Sequence, residues 1–275
     1  MSPPGLPRAL AIRPATNEHE GYRLPLQNAT NCGTIPTVTS AKYATDKSAL
    51  YRRSYDRFFD VLQTKPVRLL ELGVFRGGSL RMWRDYFNDG LIVGLDINPV
   101  TLPDAHRIRI YQGRLEDIVL LDRIGQECAP SGFDIIIDDA SHVGAPTWAS
   151  FWHLFDHHLK PGGIYCIEDW RVGYWPDWAD GASYEPPKLG TSFFDRTWRV
   201  RSHDAGLVGV VKALVDELGA DMITHPTRGG SGEHRLPRFA RLEITPGQAF
   251  IVKATGEDDD LVRKQAGHVE SDPSR

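Results

Sequence analysis

Short apolar runs alternate with longer amphipathic ones along this chain, and that alternation narrows its choice of fold more than any other feature. VRLLELG (67–73), LIVGLD (91–96), RIRIYQG (107–113), FDIIIDD (133–139) and GIYCIED (163–169) are strand-length and rich in Val, Ile and Leu. That is the composition of strands buried on both faces of a parallel sheet. SALYRRSYDRFFDVLQ (48–63), SLRMWRDYF (79–87), LEDIVLLDRIGQE (115–127), WASFWHLFDHHL (148–159) and DAGLVGVVKALVDELG (204–219) predict the intervening helices. RFARLEI and QAFIVKA, joined by TPG (238–254), predict an antiparallel hairpin. The expected fold is therefore α/β: a doubly wound, Rossmann-like sheet, mostly parallel, with one antiparallel strand in a C-terminal hairpin.

Residues 1–40 read as an N-terminal arm, 41–255 as the folded domain, and the polar, charge-dense stretch 256–275 as a disordered tail. A net charge of −4 without a Lys/Arg block gives no nucleic-acid surface. No stretch approaches the ~18 apolar residues of a membrane span, and prolines interrupt the N-terminus where a signal peptide needs an apolar core. The three cysteines show no metal or redox spacing, so the expectation is free thiols in a cytoplasmic protein.

In a doubly wound sheet, ligands bind beyond the carboxyl ends of the strands. The first such loop is ELGVFRGGSL (71–80). Gly73 permits a sharp turn, and Gly77 and Gly78 permit close approach of a ligand to backbone. Phe75 stands where the dinucleotide fingerprint requires glycine, so a ligand without a pyrophosphate is favoured. Asp96 ends the second strand, where an acid can accept both ribose hydroxyls. Together these features point to a nucleoside cofactor, with S-adenosylmethionine the best fit; the alternative is a turn whose glycines serve only packing.

Two neighbouring strands end in paired acids: IIIDDASH carries Asp138, Asp139 and His142, and YCIEDW carries Glu168 and Asp169. Carboxylates crowded together raise one another's pKa unless neutralised, and a hard divalent cation accepts such oxygens. Successive strand residues point oppositely. Asp138 is therefore expected to face the sheet interior or the cofactor, while Asp139 reaches a metal with Glu168 and Asp169. His142 is placed to take a proton from a hydroxyl held there. Strand-end acids also serve as helix N-caps, which is the competing account of Asp139. His153, His157 and His158 read as surface or packing residues. The long aromatic segment after the fifth strand supplies Trp170, Tyr174 and Trp175, whose flat faces suit a sugar; a satellite core or a subunit contact would use the same rings.

TDKS (45–48), LLELGVFRGGSLRMW (69–83), VGLDINP (93–99), FDIIIDDASH and PGGIYCIEDW together resemble the actinobacterial sugar O-methyltransferases. These include enzymes of macrolide deoxysugars and of mycobacterial rhamnose and mannose residues. The resemblance covers about residues 41–175. It implies a class I methyltransferase fold, S-adenosylmethionine as donor, bound Mg²⁺, a sugar hydroxyl as acceptor and a homodimer. The acceptor would be a mannoside or rhamnoside of a glycolipid or polysaccharide, or a deoxysugar of a natural product. By motif position, Asp139, Glu168 and Asp169 match the metal ligands and His142 the base. Glu71, Gly73, Ser79 and Asp96 would surround the cofactor, with Lys47 and Asp46 near its methionine end. Competing functions are a catechol-type O-methyltransferase, whose acceptors also chelate Mg²⁺, a nicotinamide-dependent sugar oxidoreductase, and a silent nucleoside-binding partner.

Overall fold

The computed structural model describes residues 43, 45, 47–184, 203–226 and 233–259. The arm assigned to 1–40, Asp46, and the tail beyond 259 lie outside the described residues. The first helix described from end to end, α1 (Ala49–Phe59), begins where the Ser48 side chain accepts the Tyr51 N–H as N-cap. It buries Tyr55, Phe58 and Phe59. There follow β1 (Arg68–Leu72), α2 (Gly78–Tyr86), β2 (Leu91–Asp96), β3 (Ile108–Gln112), α3 (Ile118–Cys128), β4 (Phe133–Asp138), α4 (Gly144–His157), β5 (Leu159–Glu168), α5 (Gly206–Leu218), α6 (Ala220–Ile223), β6 (Phe239–Thr245) and β7 (Gln248–Lys253).

The seven strands among the described residues form one sheet in the order β3-β2-β1-β4-β5-β7-β6. Pairings among β1 to β5 are parallel, and β7 runs antiparallel to both β5 and β6. The expected doubly wound fold is thus the observed one. Two apolar layers sandwich the sheet. Leu121, Ile124, Phe151, Leu154, Leu207 and Leu214, from α3, α4 and α5, pack on one face. Tyr55, Phe58, Phe59, Leu80 and Trp83, from α1 and α2, pack on the other. Among the described residues no helix is long and apolar enough to cross a membrane. Cys128 and Cys166 are free and buried.

Strand order reverses between β1 and β4. Their loops cross there in close contact: Gly73 has φ +82, and a Cβ on it would lie 2.6 Å from the Ala140 Cα. The fifth strand begins four residues earlier than the sequence suggests, because Leu159 already pairs with Phe133 before the register shifts. Asp139 and Asp169 each fall one residue past their strands, free of the alternation that constrains strand side chains.

Candidate functional site

The first acid pair, Asp138 and Asp139, divides as alternation predicts; the second does not, because the left-handed backbone at Asp169 leaves both Glu168 and Asp169 facing α1, at Tyr55 and Tyr51. Asp138 and Ile136 share one parity, and Asp138 is buried on the α4 face. Burial pushes its carboxyl up to about 6, against the opposing pull of His142 and the Ala140 N–H. Its Oδ2 has no hydrogen-bond partner. Asp138 therefore sits under the sheet edge, which agrees with the interior option.

On the opposite face lies a buried cluster around Lys47. Its Nζ is 2.9 Å from Asp139 Oδ2, 2.8 Å from Glu168 Oε1 and 3.1 Å from Glu71 Oε1. Burial disfavours the ammonium, but Asp139, Glu168 and Glu71 more than compensate and hold Lys47 protonated well above its usual range. Glu71 also accepts from Ser79 Oγ at 2.7 Å and from the Trp83 indole at 3.4 Å. Burial raises the carboxyls of both Glu71 and Asp139, with Lys47 the main opposing influence. Glu71 and Ser79, predicted beside the cofactor, are thus packed beneath the glycine loop as partners of each other and of Lys47.

Motif position groups Glu168 with Asp139 and Asp169. The structure turns it toward Lys47 and Tyr55, whose hydroxyl donates to the same Oε1. Asp139 and Asp169 instead converge with His142: one ligand atom from each lies within 4.8 Å of the others. The His142 Nε2 is 3.9 Å from Asp139 Oδ1 and 4.0 Å from Asp169 Oδ2. Each carboxylate has its other oxygen anchored, Asp139 by Lys47 and Asp169 by the Tyr51 hydroxyl. Burial, reinforced by Asp169, pushes the Tyr51 phenol far above its ordinary range, so it remains a donor.

The backbone is strained at this edge. Only four non-glycine described residues have positive φ, and three of them are His142 (50°), Asp169 (52°) and Phe75 (49°). Each costs of order 1–3 kcal/mol, and such outliers cluster where geometry serves a ligand or reaction. Hard carboxylate oxygens in excess over the nearby cation suit Mg²⁺, which takes a few protein oxygens and leaves positions for other ligands. The imidazole is the softer donor and fits the role of base rather than that of a magnesium ligand.

Asp96 holds the glycine loop. Its Oδ2 accepts the N–H groups of Val74 and Phe75, both at 2.9 Å, and its Oδ1 accepts that of Asn98 at 2.8 Å. Ribose hydroxyls would have to share oxygens already committed to backbone. Gly73 likewise serves the chain's own packing, as the Ala140 contact shows.

Of the predicted sugar-facing aromatics, Trp170 is fixed elsewhere: its indole donates to the Thr245 carbonyl at 3.1 Å and its ring packs on the core. Tyr174 packs edge-on against Tyr184 and tilted against His203. Trp175 is exposed. The ring that meets the site is Trp178, edge-on to His142 at 5.4 Å. Asp180 pins this loop, because its Oδ2 accepts the Gly144 and Leu207 N–H groups, each at 2.7 Å, at the starts of α4 and α5. Sequence reasoning missed Tyr51, Tyr55 and Asp180, and among the rings of the aromatic loop it chose Trp170, Tyr174 and Trp175 over Trp178. The spacing of the two tyrosines, one helical turn apart on α1, was the one readable signal.

No family model matches the chain. Curated relatives do. The mycinamicin VI 2''-O-methyltransferase of Micromonospora griseorubida is 38% identical over 80% of this chain and 52% of its own length. A Streptomyces olivaceus 3'-O-methyltransferase of 8-demethyl-8-(2-methoxy-alpha-L-rhamnosyl)-tetracenomycin C is 34% identical over 80% and 54%. The solved structure of the MycE methyltransferase from the mycinamycin biosynthetic pathway, in complex with Mg and SAH, superposes with a TM-score of 0.61 at 32% identity, over 80% of this chain and 54% of that one. The chain is homologous to these actinobacterial sugar O-methyltransferases. It has their class I methyltransferase fold, and it spans about half the length of the relatives it matches.

Proposed function

We propose that the chain is an S-adenosylmethionine- and Mg²⁺-dependent O-methyltransferase that methylates a hydroxyl of a deoxysugar or rhamnoside-type sugar. The observation that carries this reading is the convergence of Asp139, Asp169 and His142 beside the glycine loop, on a chain homologous to sugar O-methyltransferases. Asp139 and Asp169 would hold the Mg²⁺, with Glu168 the third carboxylate beside them. When bound, the ion would acidify a nearby hydroxyl, and S-adenosylmethionine would supply an already activated methyl group. Phe75 and Ile97 are large, apolar and exposed, at 75% and 56%, on either side of the Asp96-held turn. Such a patch suits a flat adenine ring.

The chain's own groups do the remaining work. His142 Nε2 accepts the acceptor hydroxyl's proton. Lys47 and the Tyr51 hydroxyl fix one oxygen of each carboxylate, so that the other faces the imidazole. Trp178 covers one edge of that ring and limits its access to water. The activities by which the relatives are named favour a natural-product glycoside over a polysaccharide. The proposal includes a homodimer in the cytoplasm; the buried free thiols Cys128 and Cys166 agree with a reducing compartment.

The test is transfer of labelled methyl from S-adenosylmethionine to a panel of deoxysugar macrolides, rhamnosides, mannosides and catechols, with and without chelator. Transfer to a glycoside that chelator abolishes and Mg²⁺ restores is expected. His142→Ala should lower transfer by ~10²–10⁴-fold with donor binding intact. Undiminished turnover in metal-free buffer, or transfer confined to catechols, would refute the reading.

A further inference from the structure

A second group of ligating side chains lies at the other end of α4. His153 Nε2 and His158 Nε2 both approach one oxygen, Asp122 Oδ1, at 2.7 and 2.8 Å. The two rings are 5.4 Å apart and tilted by 54°. Asp122 belongs to α3, His153 to α4, and His158 caps the C-terminus of α4. The His158 carbonyl accepts the Phe133 N–H at 2.6 Å, which puts this group where β4 and β5 begin. From Gly144, at the start of α4 beside the candidate active site, His153 is nine residues, about 14 Å, along the helix. The group therefore stands at the opposite edge of the sheet.

We propose that Asp122, His153 and His158 form a second metal centre that takes Zn²⁺ and ties α3 to α4. One observation beyond the convergence supports it. Gly125, inside α3, leaves the space that the His158 ring fills; any Cβ there would overlap Nδ1. Glycine is disfavoured in a helix interior relative to alanine, so the helix gives up stability to admit that ring. Within the convergence, both imidazoles direct the same nitrogen to one carboxylate oxygen, where a single Asp–His hydrogen bond would join the helices. Two imidazoles and a carboxylate are the donor types of zinc sites, and soft nitrogen donors select against Mg²⁺. Tetrahedral bonds of about 2.0 Å need donor atoms about 3.3 Å apart, so Asp122 Oδ1 draws back from each imidazole nitrogen by about half an ångström on binding. Asp122, 43% exposed, is free to move that far. The ion displaces the two hydrogen bonds as the imidazoles shift their proton to Nδ1, and water completes the shell. His157, whose ring is 5.1 Å from that of His153, is exposed and stands outside the converging set.

The experiment is titration of the full chain with Zn²⁺ in excess Mg²⁺, which keeps the hard carboxylate site from competing, read by calorimetry and by thermal unfolding. One equivalent of Zn²⁺ should bind and raise the Tm. Asp122→Asn and His153→Gln, each checked for an unchanged metal-free Tm, should weaken binding about tenfold or more and abolish the Zn²⁺-dependent rise. His142→Gln and His157→Gln should leave both intact. Absence of a bound equivalent overturns the proposal, as does binding that survives Asp122→Asn and His153→Gln or that is lost in His157→Gln alone.

Discussion

Two charged clusters in this molecule use the same residue types to opposite ends. Between α5 and β6, Glu217 is clasped by Arg235, with Nη2 2.7 Å from Oε2, and by Arg238, with Nε 3.1 Å from Oε1. Arg238 also reaches both oxygens of Asp156 at 3.1 Å and lies 4.0 Å over the Trp152 ring. Two guanidiniums meet two carboxylates, and the arginines remain 39–44% exposed. At the carboxyl edge of the sheet, Lys47 is 1% exposed and faces Glu71, Asp139 and Glu168, with Asp169 beyond them. The first cluster is electrically closed and joins α4, α5 and the segment that leads into β6. The second carries excess negative charge in a buried place, and its strained backbone turns spare oxygens toward His142. A structural network is recognised by its balance, and a binding site by what its balance lacks.

Removing the central cation should give the larger stability effect. Lys47→Met leaves three buried carboxylates without their ammonium, a loss of about 3–5 kcal/mol. Denaturant unfolding at neutral pH would measure it. The loss should change little with salt, since buried pairs are poorly screened, and Glu71→Gln in the same chain should restore part of it. If Lys47→Met unfolds like the parent chain, the cluster is not what holds this edge together.

A second comparison separates charge from shape at the site. Asn, like Asp, tolerates the left-handed backbone seen at Asp169, so Asp169→Asn keeps the local fold and removes one negative oxygen. The Mg²⁺ concentration for half-maximal methyl transfer is expected to rise about tenfold or more, roughly 1.4 kcal/mol, with the Tm unchanged or higher. A fallen Tm would instead mark Asp169 as structural, with its Tyr51 hydrogen bond the relevant contact.

The order of the strands in the sheet is not local and came from the structure, but the strands, the hairpin and the strand-end acids were legible because period-2 and apolar-run patterns are local. So was the split between Asp138 and Asp139, since alternation alone sends them apart. The partners of those acids were not. Lys47, Tyr51 and Tyr55 come from a segment about 90 to 120 residues away in sequence and meet Asp139, Glu168 and Asp169 only through packing of α1 on the sheet. Asp96 could be placed at the site but not given its task, because the three N–H groups it holds belong to a loop shape no spacing encodes. Among the aromatics, composition could not tell Trp170, bolted to Thr245, from Trp178, set against His142. His153 and His158 read as bland because their common partner, Asp122, lies on another helix.

The balanced cluster gives the smallest effect and the clearest pH signature. Burial pushes the Glu217 carboxyl up, but hydrogen bonds from Arg235 and Arg238 outweigh it and hold the group below the usual carboxylate range. A depressed carboxylate stabilises the fold above its unfolded pKa and loses that contribution as pH falls through its folded one. Glu217→Gln should therefore cost about 1 kcal/mol at neutral pH, kept small because the guanidiniums are well exposed and screened. Parallel urea titrations of the two proteins should converge as pH drops below about 4, and they should also converge in high salt at neutral pH. The Lys47 cluster should show no such salt convergence. If both clusters responded alike to salt, burial would not be what distinguishes them, and the reading of the carboxyl edge as an unbalanced binding site would lose its electrostatic footing.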